Sequence, residues 1–150
     1  MPISFSNHEI NFKLSGKRHL NAWLKAAIEQ ENRVLGQISY AFCSDDFLLK
    51  TNNQYLKHDY YTDIITFDYS EGVVLKADIL ISIERVKDNA ISLQVPFLEE
   101  LHRVMLHGVL HLCGYNDSSE KEIDQMRNKE NQYLLIRPMF HVEHFSSNKH

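Results

Sequence analysis

The sequence has few cysteines, no excess of basic residues and no long apolar run. Its two cysteines, Cys43 and Cys113, are too few for a disulfide scaffold. The formal net charge of −4 excludes a global basic field, so a polyanion such as nucleic acid has to be held by a local patch. No apolar stretch approaches the roughly 18 residues of a membrane span, and residues 1–10 show no signal-peptide pattern. We therefore expect a cytoplasmic protein without a membrane segment.

The remaining composition is that of an ordinary globular domain. Apolar residues make up 43% of the chain and charged residues 24%, which is typical of proteins with a hydrophobic core. A chain of 150 residues is long enough to bury such a core. The sequence contains no evident internal repeat, low-complexity tract or linker. We predict one domain over residues 1–140 and a disordered tail over residues 141–150.

Hydrophobic periodicity predicts an α+β protein with a small mixed β-sheet, a central helix and flanking helices. Two of the strands are joined by a short polar turn, as expected for a hairpin. The predicted strands are one or two within 3–14, then 37–43, 64–69 and 73–83. The predicted helices are 17–33, 44–55, 83–93, 96–113 and a last helix that follows a capping box at Ser119 and Glu122 and ends before Pro138.

Two histidines, His107 and His111, lie in the otherwise apolar run of the central helix. On a helix this spacing places both imidazoles on one face, one turn apart, as two ligands of a zinc-type metal require. Gly114 allows a left-handed C-cap, and the chain can then return Asp117 as a third ligand. Two nitrogens and one carboxylate would leave a coordination position for water, which makes the central helix a metal-bearing one.

Core histidines are the alternative to a metal site, because pairs at this spacing also occur by chance. Burying two imidazoles among apolar side chains is costly unless their nitrogens are satisfied, which favours the metal. Gly108 stands where zinc proteases with a similar histidine pair carry a glutamate base, so the pair indicates a different metal hydrolase. We interpret Cys113 as a buried thiol rather than a ligand.

Two acidic residues, Asp63 and Asp78, are candidates for orienting a ligand or a cationic group near this site. Asp63 ends a polar connection, and Asp78 interrupts the apolar run 77–81. An acidic residue inside such a run either faces outward or is held by a partner. The alternative, two solvent-facing carboxylates, is somewhat favoured by the sequence alone.

Three blocks of the sequence form a pattern that extends well beyond the two histidines. Together they run from Asn52 to Glu130, over half the chain. The most specific block is His107-Gly108-x-Leu110-His111-Leu112-x-Gly114-Tyr115, followed by Met126-x-x-x-Glu130. The others are Asn52-x-x-Tyr55 with Asp59 and Thr62-Asp63-Ile64-Ile65-Thr66-Phe67, and then Asp78-Ile79-Leu80-Ile81-Ser82. In order and spacing, these blocks resemble the YbeY family, a group of bacterial endoribonucleases and ribosomal-RNA maturation factors.

The resemblance implies a single-strand-specific, metal-dependent endoribonuclease that acts in the maturation of small-subunit ribosomal RNA and in ribosome quality control. It implies one zinc ion as cofactor. It also implies partners on the ribosome, namely ribosomal RNA, small-subunit ribosomal proteins and the assembly GTPase Era.

The sequence departs from the family pattern at three positions. Asp117 occupies the place of the family's third histidine ligand; a carboxylate can also bind zinc, although such a set fits other divalent metals as well. Leu56 stands where the family commonly has an arginine near the phosphodiester, so Lys57 and His58 are candidates for that catalytic role. Ala77 replaces a glycine, which is a milder change.

The general base and the RNA-binding residues are less clearly indicated. Glu122 is a candidate base, with Glu120 and the two aspartates as alternatives. Candidates for contacts with RNA phosphates are Lys57, His58, Arg103 and Arg127. Candidates for stacking on unpaired bases are Tyr55, Tyr60, Tyr61 and Tyr115, each of which has simple packing as its alternative.

A competing interpretation is a non-catalytic ribosome-assembly factor. In it the metal is structural and pins the end of the central helix to the following turn, while RNA or a ribosomal protein binds elsewhere. The missing arginine and the negative net charge favour this interpretation slightly. A hydrolase of some other ester is a third interpretation, which depends only on the three metal-ligating residues.

Overall fold

The computed structural model describes residues 2–57 and 61–137, which form four strands and five helices. The strands are β1 (Ile3–Asn7), β2 (Val34–Cys43), β3 (Ile64–Asp68) and β4 (Val74–Ser82). The helices are α1 (Lys17–Gln30), α2 (Asp45–Leu56), α3 (Ile83–Leu93), α4 (Phe97–Leu112) and α5 (Glu120–Leu135). The tail predicted at 141–150 lies outside the described residues, as do His58, Asp59 and Tyr60.

The four strands form one mixed sheet in the order β1-β2-β4-β3. The β1–β2 and β2–β4 pairs are parallel, whereas β3 and β4 pair in antiparallel fashion, with Ile64 opposite Ile81 and Asp68 opposite Ala77. The predicted hairpin and the predicted mixed sheet are therefore confirmed. Parallel neighbours need a crossover, and α1 supplies it between β1 and β2.

The structure has one of the one or two strands predicted within residues 3–14, and it differs from the prediction at the end of α1 and at the start of β2, which lies at Val34 rather than residue 37. Within residues 3–14 only Ile3–Asn7 forms a strand, because Glu9 has a φ of 57° that interrupts the extended chain. The apolar residues that follow still pack on the core; Leu14 is 9% exposed. Helix α1 stops at Gln30 rather than residue 33, since Asn32 adopts a φ of 61°.

Helix α4 is the centre of the fold, as predicted. Together with α1 it covers one face of the sheet, and its buried side chains include Leu101, Met105 and Val109, all fully buried. Helix α2 covers part of the other face, over a smaller cluster that contains Leu48 and Ile65. Burial of each such side chain stabilises the fold by about 1.5–3 kcal/mol.

Gly108 lets α4 approach the sheet closely. A Cβ at this position would lie 3.0 Å from Ile64 Cδ1 and 3.1 Å from Ile79 Cδ1, which is tighter than ordinary contact. The glycine therefore brings the neighbouring His107 and His111 towards β3, the strand at the edge of the sheet. Within the described ranges, no helix is long and apolar enough to cross a membrane.

Candidate metal centre

His107, His111 and Asp117 come together at the end of α4. The two imidazole rings lie with their centroids 4.5 Å apart. Asp117 Oδ2 is 3.3 Å from His107 Nε2 and 3.5 Å from His111 Nε2. One ligand atom from each residue lies within 4.8 Å of the other two. The structure thus places the three sequence-predicted ligands around one point.

The chain returns Asp117 to α4 through a Schellman turn. The Gly114 amide donates to the His111 carbonyl at 3.0 Å, and the Tyr115 amide donates to the Leu110 carbonyl at 3.1 Å. This is the hydrogen-bond pattern that ends many helices at a glycine. Gly114 has a φ of 103°, a conformation that L side chains rarely adopt. The turn is local, which is why the sequence could predict it.

The distances among these atoms fit a tetrahedral metal site. Ligand atoms at about 2.0–2.1 Å from a tetrahedral centre lie roughly 3.3 Å from one another. The two measured separations from Asp117 Oδ2, 3.3 Å and 3.5 Å, agree with this geometry. Two imidazole nitrogens and one carboxylate oxygen are also a donor set used by zinc and by other divalent transition metals.

Glu130 orients His107 from the neighbouring helix α5. Its Oε2 lies 2.7 Å from His107 Nδ1, and its Oε1 accepts a hydrogen bond of 2.9 Å from Arg103 Nη1. A proton held between Nδ1 and the carboxylate leaves Nε2 free to face Asp117, which is the usual arrangement around metal-bound histidines. Sequence reasoning did not assign this role, although Glu130 closes the Met126-x-x-x-Glu130 pattern.

The pKa values of this pair follow from their contact. Burial raises the pKa of Glu130, but hydrogen bonds from His107 and Arg103 outweigh it, so the pKa is lowered. Burial lowers the pKa of His107, but the hydrogen bond and charge of Glu130, with the charges of Asp117 and Asp63, raise it on balance. Both pKa shifts favour an ionised Glu130 carboxylate hydrogen-bonded to a protonated His107 ring when no metal is bound.

Two cavities lie beside the ligands; His107 and Asp117 line both, whereas His111 lines only one of them. The strand-side cavity, about 540 Å³, runs along β3 and α2. The helix-side cavity, about 320 Å³, lies between α4 and α5. His107, Asp117 and Asp63 line both, so any molecule in either cavity lies beside the candidate metal site.

Asp63 lies where the sequence prediction placed it, next to the ligands. Its Oδ2 accepts a hydrogen bond of 3.3 Å from Asn89 Nδ2, and its backbone carbonyl accepts one of 2.9 Å from the Ser82 amide. Burial raises the pKa of Asp63, while the charge of His107 acts in the opposite direction. Its proposed role in orienting a ligand or a cation stays compatible with this position.

Asp78 and Tyr55 lie on the other face of the sheet. The neighbours of Asp78 on β4, Ala77 and Ile79, point into the larger core, and strand alternation therefore turns Asp78 away from α4. Asp78 is exposed and lines a surface cavity with Tyr55 and Phe67. The expectation that Asp78 orients a ligand is corrected by this position. Tyr55 does not line either cavity at the ligands.

Glu122 takes part in the N-terminal cap of α5 and lines neither cavity. Its Oε1 accepts hydrogen bonds from the backbone amides of Ser118 and Ser119, at 3.2 Å and 3.0 Å, in the capping box of α5. The backbone hydrogen bond from Ser119 is the main reason why the pKa of Glu122 is lowered. An acceptor engaged in this way is poorly suited to take a proton, which corrects the assignment of Glu122 as base.

Of the remaining candidates for RNA contact, the two arginines line a cavity beside the ligands and Lys57 does not. Lys57 is the exposed C-cap of α2, with a φ of 58°, and it lines neither cavity, whereas Leu56 before it lines the strand-side one. Arg103 and Arg127 both line the helix-side cavity. Arg103 is committed to Glu130 and also donates to Asn131 Oδ1 at 2.8 Å.

Two tyrosines and one cysteine near the site have contacts of their own. The Arg85 guanidinium lies 5.0 Å from the ring centroid of Tyr61. The Tyr115 hydroxyl donates to Glu31 Oε1. Cys113 is buried, and burial raises the pKa of its thiol to about 11, in keeping with the structural thiol expected from the sequence.

Fold and site together define an α+β protein with a two-histidine, one-carboxylate centre between two cavities. A family model described as endoribonuclease YbeY matches residues 3–136. The chain is 50% identical over 141 residues to the endoribonuclease YbeY of Flavobacterium psychrophilum, covering 94% of this chain and 98% of that protein. The chain belongs to the YbeY family, which confirms the resemblance seen in the sequence.

Other comparisons agree with this assignment. The endoribonuclease YbeY of Parabacteroides distasonis is 45% identical over 138 residues, covering 92% of this chain and 97% of that protein. The solution structure of a Thermotoga maritima protein superposes with a TM-score of 0.60, over 97% of this chain and 93% of that one. At 24% identity, this last match supports the fold alone.

Proposed function

We propose that this protein is a metal-dependent endoribonuclease that cleaves single-stranded ribosomal RNA during maturation of the small ribosomal subunit and in ribosome quality control. The observation that carries the proposal is the convergence of His107 Nε2, His111 Nε2 and Asp117 Oδ2 between two open cavities. Relatives named endoribonuclease YbeY, similar over nearly their whole length, supply the RNA substrate class.

His107, His111 and Asp117 are the residues that would hold the metal, for which we propose one zinc ion, with another divalent metal as the alternative. When bound, such an ion acts as a Lewis acid at a phosphate and lowers the pKa of bound water. Glu130 keeps the His107 ring in the orientation that this requires. Asp63, at the junction of the two cavities, faces whatever occupies them.

Because the net charge of the chain is −4, contacts with RNA phosphates depend on individual basic residues near the site. Arg127 lines the helix-side cavity and its side chain is 58% exposed, so it can contact a phosphate. Lys57 and His58 follow Leu56, the residue in place of the family's arginine, and they stay predictions for contacts at the phosphodiester. Tyr55 stays a prediction for base stacking at a distance from the ligands.

The proposal includes partners and a location in the cell. Small-subunit ribosomal proteins and the assembly GTPase Era are proposed partners, beside ribosomal RNA itself, on the strength of the family alone. Since ribosomal subunits are assembled in the cytoplasm, we propose that the protein acts there.

The non-catalytic assembly factor is the less favoured interpretation, because the full-length relatives carry the name of a nuclease. The two interpretations make opposite predictions for Asp117→Ala. In a nuclease, the variant should lose bound metal and RNA cleavage while it stays folded. In a protein with a structural metal, it should mainly melt at a lower temperature.

The direct test is elemental analysis of purified protein beside His107→Ala. We expect about one ion per chain in the wild type, as this ligand count implies, and none in the variant. His8→Ala is a matched control, since His8 lies away from α4 and contacts Phe47. Metal bound equally by all three proteins, or RNA cleavage that persists after complete chelation, would overturn the proposal.

A further inference from the structure

Glu100 is a buried acidic residue that borders the helix-side cavity. The residue is 6% exposed, yet it lines the helix-side cavity one turn before Arg103. Within residues 2–57 and 61–137, its carboxylate forms no hydrogen bond or ion pair. Buried carboxylates are normally hydrogen-bonded or paired, because removing an ionised group from water is costly. A donor from outside the fold is therefore the natural partner of Glu100.

The neighbouring cations do not satisfy Glu100, because both pair with other groups. Arg103 donates to Glu130 and Asn131, and Arg127 Nε lies 3.8 Å from Glu130 Oε1. Burial, followed by the negative charge of Asp63, raises the pKa of Glu100, while Arg103 acts in the opposite direction. Among the described residues, the Glu100 carboxylate therefore has no partner and borders the open space of the cavity.

The cavity in front of Glu100 has the size and walls of a small-ligand site. Its volume of about 320 Å³ lies in the range of such pockets, which is about 300–1,000 Å³. Ile64, Val104, Ile123 and Met126 give it apolar sides. Since His107 and Asp117 also line it, an occupant lies directly beside the candidate metal centre.

We propose that the helix-side cavity is a nucleobase subsite in which the Glu100 carboxylate reads an unpaired guanine of the bound RNA. Guanine offers two adjacent N–H groups on its Watson–Crick edge, and a carboxylate has two acceptor oxygens to receive them. Adenine and cytosine place an acceptor beside their amino group, and uracil has a single N–H between two carbonyls, so each matches a carboxylate less well.

The apolar walls then contact the faces of the base, and Arg127 at the rim is available to the phosphate of the same nucleotide. This inference rests on the proposed function, because it takes RNA as the ligand of the metal centre. It adds the expectation that the protein discriminates among bases next to the bond that it cleaves.

Binding of nucleoside monophosphates tests the subsite without any cleavage. The probes are GMP and IMP, which differ only in the 2-amino group of the base, and AMP, titrated into metal-loaded protein and followed by NMR. We expect GMP to bind about tenfold more tightly than IMP, the size of effect of a hydrogen bond to a charged group. Glu100→Gln should lose this preference.

Glu99→Gln is the matched control, since it removes the same charge from the adjacent residue, which does not line the cavity. It should keep the wild-type preference for GMP. A second variant, Ile123→Trp, places a larger side chain at the partly exposed wall of the cavity and should weaken binding of all three nucleotides. It keeps the test decisive if Glu100→Gln folds poorly.

Equal affinity of the wild type for GMP and IMP, or a GMP preference that survives in Glu100→Gln, would overturn the subsite. The outcome is independent of nuclease activity, because a monophosphate has no internucleotide bond. A protein that cleaves RNA but ignores the base refutes the subsite alone. A protein that prefers GMP through Glu100 but cleaves no RNA refutes the proposed nuclease function.

Discussion

The Tyr115 hydroxyl donates a hydrogen bond of 2.7 Å to Glu31 Oε1, which ties the turn after α4 to the end of α1. Glu31 Oε2 accepts further hydrogen bonds from the Tyr133 hydroxyl and, at 3.2 Å, from Lys129 Nζ. Nearby, Arg33 Nη2 donates to the Cys113 carbonyl at 3.0 Å. The turn that leads to Asp117 is thus held by Glu31 and Arg33, two residues of the α1–β2 loop that lie far from it in the sequence.

Glu31→Gln should weaken metal binding as well as stability. Glutamine keeps one acceptor oxygen and presents an amino group to the remaining donor, so we expect a loss of about 1–3 kcal/mol in unfolding free energy. We also expect a metal affinity lower by up to about tenfold, because the turn before Asp117 becomes less restrained. Chelator competition and urea unfolding measure the two effects.

Glu29→Gln is the control for this prediction, since Glu29 is an exposed residue in the last turn of α1. Metal affinity that is identical in the two variants would show that the Glu31 network supports the fold without positioning the third ligand.

Glu130→Gln should lower metal affinity by about 10–100-fold, as is typical when a carboxylate partner of a metal-bound histidine is lost. The amide can still contact Arg103 or His107, so the variant should remain folded. Zinc titration against a competing chelator measures the change. Asp124→Asn, an exposed site on the same helix, serves as control. Unchanged affinity in Glu130→Gln would contradict the orienting role inferred from the 2.7 Å contact.

Asp117→His should shift the pH dependence of RNA cleavage to lower pH. A neutral ligand in place of a carboxylate leaves more positive charge at the centre, and this charge lowers the pKa of the groups bound there. The pH of half-maximal rate, compared between the two proteins at saturating metal, measures the shift. A profile that moves to higher pH, or a variant that binds no metal, would contradict this account of Asp117.

Glu100→Gln should raise the stability of the metal-free protein near neutral pH. The pKa of Glu100 is raised above its ordinary value of 4.5, chiefly by burial. Its contribution to stability is therefore fully present below the unfolded-state pKa and is lost as pH rises through the folded-state pKa. The variant, which has no charge to bury, should gain over the wild type at neutral pH, and the gain should vanish in acid.

Urea unfolding of both proteins at neutral and acidic pH measures this difference, with Glu99→Gln as the control for the loss of one negative charge. A Glu100→Gln variant that is less stable than the wild type at neutral pH would show that the carboxylate has a favourable partner in the fold. A gain would support the interpretation of Glu100 as a group kept for binding at a cost in stability.

Local features of this site could be predicted from the sequence because they depend on a few neighbouring residues. The spacing of His107 and His111 places two ligands on one helix face, and Gly114 permits the turn that returns Asp117. The β3–β4 hairpin has a short connection and was equally predictable. Each of these features needs only backbone geometry within one helix end or one hairpin.

Only the tertiary structure decided which distant side chains meet the site. Glu130 reaches His107 because α5 packs against α4, and Glu31 reaches Tyr115 because α1 ends beside the same turn. Asp78 is turned away because its neighbours on β4 occupy the core face. By itself, the sequence determined the ligand types and their spacing along one helix. The packing of helices and the register of strands determined their partners, because such contacts depend on side chains far apart in the chain.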